Sequence, residues 1–86
     1  MFEIRETYST SRLSITIEPI LDFDLVFFVN DLVDLEPEMI WIGYDSKPNK
    51  NYLPEPQLEK TQELIKELTD AGIRVRQKLI RTAWYE

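Results

Sequence analysis

At 86 residues, with 43% hydrophobic and 30% charged positions, the chain has the composition of one small globular domain and not that of a disordered segment. The absence of Cys and His excludes disulfides, thiolate metal sites, iron–sulfur ligation and imidazole bases, and leaves carboxylates, Lys, Tyr and hydroxyls for any catalysis. The net charge of −6 argues against non-specific binding to nucleic-acid phosphates, so no direct nucleic-acid partner is expected.

Residues 1–12 are polar and read as an arm or an edge strand of a single 1–86 domain. The first residues lack a basic stretch followed by an apolar run, and no segment is apolar enough to span a bilayer. A soluble cytoplasmic protein without membrane association is the expectation. Leu13-Ser14-Ile15-Thr16-Ile17-Glu18 alternates apolar with polar, the mark of a strand covered on one face, and Pro19 ends it. Asp22 or Asp24 then caps a helix whose apolar positions are Leu25, Phe28, Val29, Leu32 and Leu35, with Phe27 near the polar side. Pro37 breaks that helix, and Met39-Ile40-Trp41-Ile42-Gly43-Tyr44 reads as a strand apolar on both faces and therefore central.

Asp45-Ser46 closes this strand and leads into a turn-rich stretch from Lys47 to Pro54. Glu55-Pro56 is expected to open a second helix, with Leu58, Ile65 and Leu68 in its buried stripe and Thr61 and Leu64 beside them. Gly72 supplies its left-handed stop. The third strand runs from Ile73 through Val75 to about Ile80. The order strand-helix-strand-helix-strand predicts an α/β fold: a three-stranded parallel sheet with both helices on one side, as in a fragment of a TIM-type barrel. The other face would stay bare, exposing Ser14, Thr16 and Glu18 from one strand and Arg74, Arg76 and Lys78 from another.

Charge is unevenly distributed. Residues 13–72 hold thirteen acids and four bases, whereas the last stretch holds Arg74, Arg76, Lys78 and Arg81 against Glu86. These four cations form a candidate anion or partner face, or a solvated screen for the acidic body. In parallel α/β folds ligands meet the carboxyl ends of strands. Here those ends carry Glu18, Asp45 and Ser46, with Thr16 continuing the polar surface. Glu18 and Asp45 would pair for acid–base work or hold ribose hydroxyls, or each would cap its own turn. Trp84 and Tyr85 would stack on a base or pack the terminus down. Phosphate loops, nucleophile elbows and zinc spacings are all missing from the sequence.

Two phrases carry a family likeness: Ser14-Ile15-Thr16-Ile17-Glu18-Pro19-Ile20-Leu21-Asp22-Phe23-Asp24, and Trp41-Ile42-Gly43-Tyr44-Asp45-Ser46 followed by Leu53-Pro54-Glu55-Pro56. From about Leu13 to Arg81 the chain resembles the later part of a radical S-adenosylmethionine family common in archaea, bacteria and phages. The resemblance implies the last three strands of a partial parallel barrel. It also implies that Glu18, Gly43 and Asp45 line a cavity for cofactor or substrate, with S-adenosylmethionine a possible ligand. The family's CxxxCxxC loop is absent, and without thiolates there is no iron–sulfur cluster and no reductive cleavage of the cofactor.

These residues lead to the expectation of a non-catalytic half-barrel module that docks on a protein partner, or on a second copy as a homodimer, through its polar sheet face. In such a dimer Glu18 of one copy would meet Arg76 of the other. One alternative is a site for an adenosyl compound or nucleotide, with Glu18 on a ribose. Another is an acidic phage-type inhibitor presenting Glu59, Glu63, Glu67 and Asp70 to a basic nucleic-acid-binding protein.

Overall fold

A computed structural model describes residues 2–6 as backbone and residues 13–86 with their side chains. The elements are β1 (Phe2–Glu6), β2 (Leu13–Ile17), α1 (Leu25–Asp34), β3 (Met39–Ile42), α2 (Pro48–Asn51), α3 (Leu58–Asp70) and β4 (Arg74–Gln77). They form an α/β fold whose sheet runs β1-β2-β3-β4. The last three strands are mutually parallel, with helices between them, and β1 lies antiparallel on β2. The expected edge strand within residues 1–12 is therefore β1, while residues 7–12 lie outside the described residues.

The register sorts the side chains into two faces. Ile15, Ile40 and Val75 stand side by side in one row, and Ile17 pairs with Ile42 in the next. The four isoleucines are buried against Leu32 of α1 and Leu64 and Leu68 of α3, so both long helices lie on this face. Each buried isoleucine contributes about 2 kcal/mol of transfer free energy before entropy is counted. The alternate positions Ser14, Thr16, Met39, Trp41, Arg74 and Arg76 fall on the other face, where they are half-buried or exposed.

Local signals explain the helix ends. Asp24 caps α1, its Oδ1 accepting from the Phe27 N–H at 3.2 Å. After α3 the chain makes a Schellman stop: Gly72 adopts φ 87°, its N–H donates to Thr69 O, and the Ile73 N–H donates to Leu68 O. Three expectations are corrected. Leu35, expected among the apolar positions within the first helix, is instead the C-cap residue of α1 and is 37% exposed. Glu55 and Pro56 do not open the second helix. Both are buried ahead of it, and Gln57 is its N-cap. The Lys47–Pro54 stretch is not all loop, since it winds one helical turn as α2.

Candidate functional site

The sheet face that no described element covers, called the bare face below, has an apolar centre. β3 lies between β2 and β4, and its alternation buries Ile40 and Ile42 while Met39 and Trp41 point the other way, each half-buried. Trp41 stands in register between Thr16 and Arg76, and Met39 between Ser14 and Arg74. Arg74 and Arg76 are exposed; their backbones lie in the ladder with β3, and their side chains make no hydrogen bond or ion pair to another described residue. Lys78 completes the rim, its Nζ 5.6 Å from the centre of the Trp41 ring, within the range of a cation–π contact.

At the carboxyl edge of the sheet the backbone ladder continues past the strands. The Gly43 N–H donates to Ile17 O at 3.0 Å, and the Lys78 N–H to Ile42 O at 2.8 Å. This extension brings Glu18, Gly43 and Lys78 together. The Lys78 ammonium donates to Glu18 Oε1 at 3.1 Å. Gly43 permits a close approach there: a Cβ at this position would stand 3.1 Å from Glu18 Oε2 and 3.1 Å from Lys78 Cβ, so that its neighbours would have to give way by a few tenths of an ångström.

The other sequence-derived candidates stand apart from that rim. Asp45 Oδ2 accepts from Asn51 Nδ2 at 2.6 Å and its Oδ1 from the Lys47 N–H at 3.1 Å, so it caps the turn into α2. The Asn51 bond is the main reason its carboxyl is held below the usual carboxylate range. Ser46 is exposed in the same turn. Glu18 is thus committed to Lys78 and Asp45 to its own loop, instead of pairing with each other.

Arg81 is set apart from the three other cations. Its guanidinium grips the buried carboxylate of Glu55 with both arms, at 2.8 and 2.6 Å, and donates to the backbone oxygens of Asp45 and Thr82, each at 2.7 Å. It also lies 5.0 Å from the centre of the Tyr44 ring. The Glu55 bonds raise its pKa further. Glu55 accepts in addition from the Trp84 N–H at 3.0 Å. Trp84 Nε1 donates to Leu53 O and the Tyr85 hydroxyl to Glu55 O, so these two aromatics pin the last residues onto the loop before α3. Glu86 Oε2 accepts from the Leu58 N–H at 3.1 Å and from the Ala83 N–H.

The sequence reading missed Trp41 as a site residue and Glu55 as a structural anchor. The apolar-both-faces pattern of β3 held the signal for Trp41. Nothing local linked Glu55 to Arg81. Among the described residues no group of three or more Asp and Glu side chains converges to hold a metal ion.

The acids of α3 form a separate surface. Glu59, Glu63 and Glu67 follow one another at four-residue spacing and are exposed, on the side opposite the bare sheet face. No family model, curated protein or solved structure matches the chain.

Proposed function

We propose that the chain is a non-catalytic docking module that binds a protein partner through the bare face of its sheet. The observation that carries this reading is the position of Trp41: a large, half-buried aromatic on the sheet face that no described element covers, bordered along β4 by Arg76 in register, Arg74 two residues before it and Lys78 at 5.6 Å from the ring centre. Aromatic and Arg side chains dominate the energetics of protein interfaces, and a central aromatic with a cationic rim selects an acidic partner. Kinship with the radical S-adenosylmethionine family, read from the phrases around Glu18 and Asp45, belongs to the same proposal: a barrel segment kept for binding, with no cysteine to hold a cluster.

The face alone is small for a stable protein pair of either kind. Strand spacing of about 4.8 Å and a rise of about 3.3 Å per residue give this face a projected area of roughly 300 Å². Stable pairs bury about 800 Å² per partner. Stacking two copies would also oppose like cations. An adenosyl ligand at Glu18 is less well supported, because it must first separate that carboxylate from Lys78.

A random peptide library selected on the wild-type chain and counter-screened on Trp41→Ala and Arg76→Glu tests the proposal. Binders that lose affinity for both variants support it. Binders indifferent to both contradict it.

A further inference from the structure

The bare face reaches an edge of the sheet. β4 is the last strand in the order, with β3 on one side and no described strand on the other. The Lys78 N–H points inward to Ile42 O, so the alternation of a strand turns the N–H and C=O groups of Val75 and Gln77 outward along that edge. Gln77 is exposed and Val75 half-buried. An edge with free backbone groups is a template for one more strand.

The side chains define what such a strand must carry. On the bare face its neighbours would be Arg74 and Arg76, two exposed cations spaced two residues apart. On the helix-covered face its neighbour would be Val75, which packs against the edge of the core. We infer that the edge of β4 binds an extended acidic segment of a partner, with acids at alternate positions opposite Arg74 and Arg76 and an apolar residue beside Val75. The inference rests on the docking proposal and specifies its partner's chemistry and its mode of binding.

Three physical arguments favour this occupant. The alternating donors and acceptors along the edge match another peptide backbone, whereas a phosphate backbone offers acceptors only. A second copy of β4 would place Arg74 and Arg76 beside their own equivalents, and like charges directly opposite one another are destabilising. Backbone bonds along an edge also let a small apolar centre suffice, consistent with the limited area of the face.

The test uses the full chain and a capped short peptide of alternating Glu and Val, with alternating Lys and Val as control, followed by backbone amide spectra and hydrogen exchange. Expected are shifted and protected amides at Val75 and Gln77, binding about tenfold weaker in Arg76→Glu, and no binding of the Lys peptide. Gln77→Pro removes an outward N–H that no ladder bond uses, a change edge strands tolerate, and should abolish binding while the fold persists. Unchanged Val75 and Gln77 amides, or wild-type affinity in folded Gln77→Pro, would overturn strand addition. If library binders that require Trp41 are still found in that case, the docking face stands and only its β4 mode fails. If no such binders are found, the docking proposal itself fails.

Discussion

The Glu18 carboxylate and the Lys78 ammonium, sixty residues apart in sequence, meet at 3.1 Å across the backbone of Gly43. This bridge ties the end of β2 to the end of β4 over β3 and closes one rim of the bare sheet face. Both side chains are about two-fifths exposed, so solvent and salt screen the pair. Glu18→Gln should cost less than about 1 kcal/mol, and the difference should vanish in high salt. Gly43→Ala is the more damaging change. Its Cβ crowds Lys78 Cβ, which cannot move as a flexible tip would, and a loss of about 1–2 kcal/mol is expected. Urea denaturation of both variants at low and high salt measures the two effects.

Arg81 and Glu55 carry a larger share of the fold. Arg81→Met leaves the Glu55 carboxylate buried with only the Trp84 N–H as donor. Breaking a buried pair from one side costs about 3–5 kcal/mol, against a total of about 4–13 kcal/mol expected for a domain of this length. The variant should lose roughly a quarter or more of that stability, visible as a large fall in the urea midpoint. Arg76→Glu, on an exposed cation, should leave the midpoint almost unchanged.

The buried Tyr44 hydroxyl donates to Pro56 O at 2.9 Å and accepts from Thr61 Oγ1 at 2.6 Å. Tyr44→Phe removes both bonds and should cost about 1–2 kcal/mol at neutral pH. Desolvation raises its pKa above the ordinary 10.0, with smaller contributions in the same direction from Glu86 and Glu55. The folded state therefore favours the protonated phenol. Its contribution is fully present below pH 10.0 and is lost as pH rises through the folded value. Tyr85 shifts the same way. Stability should fall on the alkaline side, and Tyr44→Phe should flatten part of that slope in denaturation curves taken across it.

Asp45 behaves oppositely. Its carboxyl is held down mainly by Asn51 and next by the Lys47 N–H, so its contribution is present above 3.8 and is lost as pH falls through the lowered folded value. Asn51→Ala should move its titration midpoint up toward 3.8, read by side-chain NMR. A midpoint indifferent to Asn51 would show that the loop contact is not what holds the proton off.

What the sequence revealed follows the range of the forces involved. The alternation of Leu13–Ile17 announced a one-sided strand because period two is set by the pleat itself. The stop at Gly72 was legible because a Schellman motif is confined to a few neighbouring residues. The start of α3 was misread because Glu55-Pro56 has the composition of a helix opening. Burial of that carboxylate depends on Arg81, 26 residues away, which no local pattern encodes. Asp45 and Glu18 looked like partners because both end adjacent strands, yet each found a closer cation or amide. Trp41 was visible as half of an apolar strand, but only the register shows that Arg76 flanks it.

The bare sheet face is proposed to bind protein. The most direct test is an amide chemical-shift map of the chain saturated with the tightest library-selected peptide. Shifts are expected to concentrate at Thr16, Trp41, Arg76 and Lys78. Shifts concentrated instead at Val26, Phe27, Glu63 and Glu67, on the helical side of the molecule, would contradict it.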